Sequence, residues 1–115
     1  MIGISKLYFG TVEASDRLRY RKGVHRRPVV VWNCTPACNL ACSHCYAACA
    51  GEQRVLTTDQ ARAVIDDLAA FGVPVILFSG GEPFLRPDIR TLAAHAKARG
   101  IRVTFSTNGT LIDDA

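Results

Sequence analysis

All five cysteines of the 115-residue chain, Cys34, Cys38, Cys42, Cys45 and Cys49, fall within sixteen consecutive positions. Cys38, Cys42 and Cys45 have the spacing C-x3-C-x2-C, and no other register gives it, because a series begun at Cys34 needs a cysteine at position 41, which is Ala41. Three thiolates on one compact loop can ligate an iron–sulfur cluster, and a four-iron cubane held by three cysteines keeps one iron open, as a catalytic zinc keeps an unfilled position. Other chemistries use the same residues. A zinc module would recruit Cys34, Cys49 or His44 as a fourth ligand, and a thiol redox protein would use Cys42-Ser43-His44-Cys45 as C-x-x-C, leaving Cys38 idle. The zinc module gives no role to a second unusual stretch, Ser79-Gly80-Gly81-Glu82-Pro83. Its paired glycines let backbone approach a ligand closely, and Glu82 can oppose a cation. The plainer role for Glu82 is an acid at a turn or helix entry.

The elements that carry these motifs follow from pattern. Pro28 to Trp32 is a continuous run with three valines and predicts a strand buried on both faces, as in a parallel sheet. A helix follows, capped by Thr57 or Thr58, with Asp59 in its first turn, Ala61, Val64, Ile65 and Leu68 on one apolar face, and Gly72 as its stop. Val73 to Phe78 predicts a second strand, with Pro74 tolerable near its start. A second helix is expected to open at Pro87 with Asp88 in its first turn and Ile89, Leu92, Ala93 and Ala96 on one face. It carries Lys97 and Arg99 in its last turn and stops at Gly100. A third strand, "IRVTFS", then leads through Asn108-Gly109 into what reads as the first turn of another helix. The order βαβαβ implies an α/β fold with parallel strands and right-handed crossovers. In such a fold ligands collect at the carboxyl ends of the strands, which is where the cysteine loop, "SGGEP" and "STNG" all lie.

"CNLACSHCY" together with "SGGEP" resembles the radical S-adenosylmethionine (radical SAM) enzymes. Their C-x3-C-x2-C loop binds a [4Fe-4S] cluster, and their GGEP segment holds the methionine end of SAM. The resemblance implies Cys38, Cys42 and Cys45 as cluster ligands, His44 against the adenine, and Gly80, Gly81 and Glu82 at the SAM amino group. Thr107 and Asn108, in "STNG", are further SAM contacts by the same resemblance; it assigns no catalytic residue. "MIGISKLYFGTVEASD", "PVVVWN", "LIDDLAAFGVPVILFSGGEP" and "STNGTLI" extend the likeness to the haem-biosynthesis branch, which holds didecarboxysiroheme deacetylase and the radical SAM proteins of haem d1 synthesis. Cys34, where that branch suggests an apolar residue such as methionine, and "TPAC" before the first ligand depart from the pattern. The fold implied is the N-terminal βαβαβ portion of a parallel, partial TIM-type (β/α) barrel, truncated, with residues 1–27 an N-terminal extension carrying a basic linker and 28–115 an incomplete core domain. The activity implied is reductive cleavage of SAM to a 5′-deoxyadenosyl radical. The implied target is side-chain decarboxylation or deacetylation of an iron tetrapyrrole, with an external electron donor. The alternatives are a peptide-modifying radical SAM maturase, an inactive truncated remnant, or the zinc module.

Composition sets the outer bounds. The net charge of +4 is local: Arg17, Arg19, Arg21, Lys22, Arg26 and Arg27 against Asp16 make residues 16–27 +5 and leave the remainder at −1. Such a run is ordinarily a solvated linker; a dock for the carboxylates of a tetrapyrrole is the sharper alternative. Only Tyr20 interleaves it and no recognition motif accompanies it, so nucleic acid is not the expected partner. No apolar stretch approaches the ~20 residues that span a bilayer, and the N-terminus does not read as a secretory signal, so the expected location is the cytoplasm, away from membranes. A reducing compartment favours metal binding over disulfides for an odd number of cysteines. Cys34 and Cys49 read as a small buried thiol and a loop thiol, Trp32 as core, and His25 and His95 receive no function.

Overall fold

The computed structural model describes residues 27–45 and 54–112. The apolar runs form three strands, β1 (Val30–Thr35), β2 (Val75–Gly80) and β3 (Arg102–Phe105), in the order β1-β2-β3 with both pairings parallel. Helix α1 (Thr58–Phe71) joins the first pair and α2 (Ile89–Ala98) the second. The expected βαβαβ order is therefore present as a small α/β unit with a three-stranded parallel sheet.

Local chemistry explains the helix ends. Thr57 accepts from the Gln60 N–H at 3.3 Å while the Gln60 side chain accepts from the Thr57 N–H at 3.0 Å, a reciprocal capping box. Gly72, with φ +86°, turns left-handed to close α1, its N–H donating to the Ala69 carbonyl. The helices also meet each other: Asp66, inside α1, receives His95 Nε2 at 2.7 Å and Arg99 Nε at 2.8 Å from the end of α2. His95 thus fastens the helix pair.

Both helices pack on one face of the sheet. Register aligns Val30, Ile76 and Val103 in one row and Trp32, Phe78 and Phe105 in the next. Ile76 and Phe78 meet Ala61 and Ile65 of α1 and Leu92 and Ala96 of α2 in the buried core. The aromatic row is in contact across the sheet, Trp32 to Phe78 at 5.7 Å and Phe78 to Phe105 at 5.6 Å between ring centroids, and Phe84 extends it at 4.9 Å from Phe105.

Three expectations need correction. β1 is not buried on both faces: it runs Val30–Thr35, and Val31, which alternates away from the helices, is 61% exposed, with the preceding Val29 60% exposed. Among the described residues no second layer covers that face. Val64 is also outside the core face of α1, at the rim of a stripe centred on Ala61 and Ile65. α2 begins at Ile89 and not at Pro87, after a 3-10 turn at Pro83–Leu85: the Leu92 N–H donates to the Asp88 carbonyl, which makes Asp88 the cap residue, while its carboxylate makes no capping bond and is engaged by Arg86 and Thr58. Among the described residues no helix is long and apolar enough to cross a membrane. The basic run Arg17 to Arg26 and Cys49 lie outside the described residues; Arg27 stacks its guanidinium 4.7 Å from the centre of the Phe71 ring.

Candidate functional site

The site begins with an irregularity at the end of β1. Asn33 pairs with Ser79, but the next partner, Gly80, pairs with Thr35, so Cys34 is the extra residue of a bulge. Its thiol is 3% exposed within the core, and burial pushes it up from the usual thiol range against the opposing pull of Arg86. Its carbonyl accepts from Arg86 Nη1 at 2.9 Å. Arg86, itself only 5% exposed, also grips both Asp88 oxygens, at 2.6 and 3.0 Å, and donates to the Leu56 carbonyl at 2.9 Å. The Thr58 hydroxyl donates to Asp88 at 2.7 Å. One guanidinium thus joins the β1 exit, the approach to α1 and the entry to α2. The Arg86 hydrogen bonds, followed by Thr58's, outweigh burial and hold the Asp88 carboxyl below its usual range.

Beyond the bulge, the glycine pair docks against the residues leading to the first loop cysteine. The Gly81 N–H donates to the Thr35 carbonyl at 2.8 Å and the Glu82 N–H to the Ala37 carbonyl at 2.7 Å. A Cβ on Gly80 would lie 2.2 Å from the Thr35 oxygen, and one on Gly81 would lie 2.2 Å from the Ala37 oxygen. The close approach that glycine permits is therefore made first to the protein's own cysteine loop.

Glu82 then joins this pair of segments to the third. It is fully buried, and its carboxylate accepts three donors: the Phe84 N–H at 3.0 Å, the Thr107 hydroxyl at 2.8 Å and the Asn108 N–H at 2.8 Å. Burial acts to raise its pKa, but the Asn108 and Phe84 amides and the Thr107 hydroxyl together outweigh it and hold the carboxyl below the usual range. A carboxylate offers about four acceptor positions, so the three bonds leave little of Glu82 unused.

The circuit closes between the third segment and the first. Asn39, one residue beyond Cys38, donates through Nδ2 to the Thr110 hydroxyl at 2.8 Å and accepts through Oδ1 from Asn108 Nδ2 at 2.9 Å. The Thr110 hydroxyl and N–H both donate to Asn108 Oδ1, at 2.8 and 3.0 Å. The cysteine loop, "SGGEP" and "STNG" are thus held to one another pairwise on one rim of the sheet.

Cys38, Cys42 and Cys45 are free, exposed thiols on that rim, and all three line a hollow of about 90 Å³ together with Pro36, Leu40 and Gly81. Among the described residues no three His, Cys, Asp or Glu side chains converge on a single metal position. The donor set nevertheless fits an iron–sulfur cluster, which takes one thiolate at each of several irons and does not need them to meet at one point. His44 lies exposed in the turn between Cys42 and Cys45 and is not among the lining residues. Spacing along the chain singled out the cysteines, and the family likeness the glycines and Glu82, as candidates. Both missed Thr35, Asn39, Arg86 and Thr110; Asn39 and Thr110 border the motifs, whereas Arg86 gave no signal, since arginine is seldom buried unless paired.

A family model for the Radical SAM superfamily matches residues 32–115. Among curated proteins the chain is similar to Fe-coproporphyrin III synthase of Methanosarcina barkeri, at 54% identity over 98% of this chain and 32% of that protein. It is similar to pre-heme d1 synthase of Dinoroseobacter shibae at 47% identity, over 73% of this chain and 21% of that protein. It is similar also to mycofactocin maturase MftC of Mycolicibacterium smegmatis at 37% identity, over 82% and 24% respectively. The chain spans about a third or less of the length of these relatives. No solved structure gives a significant match.

Proposed function

The chain belongs to the radical SAM superfamily, and we propose that it forms the cluster- and SAM-holding part of an enzyme that modifies side chains of an iron tetrapyrrole. In this reading residues 28–115 are the first βαβαβ part of a partial TIM-type barrel, and residues 1–27 an extension with a basic linker. Cys38, Cys42 and Cys45 hold a [4Fe-4S] cluster, and Gly80, Gly81 and Glu82 face the amino group of SAM. His44 lies against its adenine, with Thr107 and Asn108 as further contacts. When bound, the cluster and SAM supply one-electron cleavage of the sulfonium to a 5′-deoxyadenosyl radical, with the electron coming from an external donor. What this chain's own residues do is position. The bulge at Cys34 and its Arg86 clamp fix the direction in which the loop leaves β1, and the Gly81 and Glu82 amides hold it down as far as Ala37.

The observation that carries the proposal is the pairwise closure of the three motif segments on one rim, which gathers residues 38–45, 80–82 and 107–108 into one place. The tetrapyrrole assignment is supported by the names of two relatives, Fe-coproporphyrin III synthase and pre-heme d1 synthase. The likeness to a mycofactocin maturase keeps peptide modification as the second reading. A zinc module built on Cys34 is disfavoured, since its thiol would have to leave the core.

The test is anaerobic reconstitution with iron and sulfide. A brown protein is expected, with Cys38→Ala, Cys42→Ala and Cys45→Ala each losing the cluster absorbance and Cys34→Ala keeping it. Binding of one zinc and no iron, with the zinc lost in Cys34→Ala, overturns the reading. Titration with iron coproporphyrin III should perturb the porphyrin absorption; no perturbation, with binding of a peptide substrate instead, favours the maturase alternative.

A further inference from the structure

The hydrogen bonds among Asn39, Asn108 and Thr110 run in one direction around a closed ring. Asn39 Nδ2 donates to Thr110 Oγ1, Thr110 Oγ1 donates to Asn108 Oδ1, and Asn108 Nδ2 donates back to Asn39 Oδ1, at 2.8, 2.8 and 2.9 Å. Each group spends a donor and an acceptor, and in such a cycle each bond polarises the next. The three residues come from two segments about 70 positions apart, and the segments differ in how else they are held. The Asn108 side is anchored below by its own N–H on the buried Glu82 carboxylate. On the cysteine side, among the described residues, the backbone beyond Asn33 is fastened to "SGGEP" through Thr35 and Ala37. Beyond Ala37 the described bonds of residues 38–45 are internal to the loop, Leu40 N–H to Cys38 Sγ and Cys45 N–H to the Cys42 carbonyl, apart from those of Asn39. Among the described residues, Asn39 is therefore the single hydrogen-bonded tether between the loop that carries Cys38, Cys42 and Cys45 and the rest of the protein.

We infer that Asn39 and Thr110 are positioning residues: with Asn108 they form a latch that holds the cysteine loop against the β3 exit and sets the loop's orientation before any ligand binds. The latch is exposed, so its individual bonds contribute little to global stability; its effect is on how often the loop occupies one orientation. A ligand that needs that orientation binds more weakly in proportion to the fraction of time the loop is elsewhere. The chemistry is specific. Asn39 uses both ends of its amide to close the ring; an aspartate keeps the bond from Asn108 Nδ2 and takes the Thr110 hydroxyl only if that proton turns away from Asn108 Oδ1, which then keeps the Thr110 N–H alone. Thr110 needs a hydroxyl but not its methyl group.

The inference depends on the proposed cluster reading only for its second readout. The first is amide hydrogen exchange on the metal-free chain, scored across the latch, at an amide that lies in or bonds to the segment that was not altered. Asn39→Ala should speed exchange of the Thr110 amide, and Thr110→Val that of the Glu82 amide, which is bonded to Ala37, each by about three- to tenfold. Asn39→Asp should fall between the parent chain and Asn39→Ala, Thr110→Ser should behave like the parent chain, and the double variant should be no worse than the larger single effect. Exchange changed by less than twofold across the latch, or effects that multiply in the double variant, overturn the inference. The second readout is calorimetric titration of the iron-loaded protein with SAM, where Asn39→Ala should weaken binding three- to tenfold and Thr110→Ser should not. If the parent chain takes up no iron, the cluster reading fails while the exchange result still decides the latch.

Discussion

Gly81→Ala tests whether the glycine pair is required by contact within the protein or by a ligand. Gly81 does not lie in the positive-φ region, so the added methyl carries no backbone penalty. Its effect is steric: the new carbon would stand 2.2 Å from the Ala37 oxygen, 2.6 Å from the Ala37 carbonyl carbon and 2.7 Å from the Pro36 oxygen, all of them backbone. An acceptable carbon–oxygen contact is about 3.3 Å, so the loop must retreat by about 1 Å. The Glu82 N–H bond to Ala37, now 2.7 Å, then exceeds the hydrogen-bond limit. Overpacking plus the lost bond amounts to about 2–4 kcal/mol. For a domain of this size that lowers the melting midpoint by roughly 10–25 °C. The assay is thermal unfolding followed by the emission of Trp32, the single tryptophan, which packs on Phe78. Gly100→Ala is the control: its φ is +80° but nothing lies within 4 Å of the added carbon, so only a backbone cost applies, of about 1–2 kcal/mol. A Gly81→Ala midpoint no lower than that of Gly100→Ala, with iron uptake unchanged, would refute the packing argument.

Arg86→Met should cost about 3–5 kcal/mol, because it strands the Asp88 carboxylate and leaves the Cys34 and Leu56 carbonyls unpaired; a urea midpoint near that of the parent would contradict this. Glu82 and Asp88 both have carboxyls held below their usual range. Their folded pKa values lie below the unfolded ones, so the stability they contribute is present above about pH 4.3 and is lost as pH falls through the folded values. Glu82→Gln should therefore be less stable at neutral pH and show a shallower loss on acidification, measured by urea unfolding at stepped pH; a parallel pH profile would count against the Glu82 assignment. The face of β1 that no described residue covers, with Val29 and Val31 about three-fifths exposed, should bind a hydrophobic dye in the native chain. Val31→Thr should reduce the fluorescence, and unchanged dye binding in that variant would place the patch elsewhere.

Much of this protein is written in short-range pattern. Thr57 and Gln60 cap α1 across three residues, Gly72 ends it, and the apolar runs separated by these helices leave βαβαβ as the natural order. Parallel connection alone places the three motif segments at one end of the sheet, so a common rim for Cys38, Gly81 and Asn108 was legible before any contact was known. What the sequence could not express depends on neighbours far away along the chain. Val31 looks as apolar as Ile76, but only the position of both helices on one face decides that one is exposed and the other buried. Cys34 becomes the extra residue of a bulge because of its pairing with β2, and Arg86 is buried because it reaches a carbonyl 52 positions away. Glu82 finds its acceptor role 25 and 26 positions on, and Asn39 its partners 69 and 71 positions on. Propensity, capping and ligand spacing act between residues a few positions apart and survive in the linear text. Burial and hydrogen-bond partnership are decided by distance in space, which comes into being only when the sheet, helices and rim loops have closed on one another.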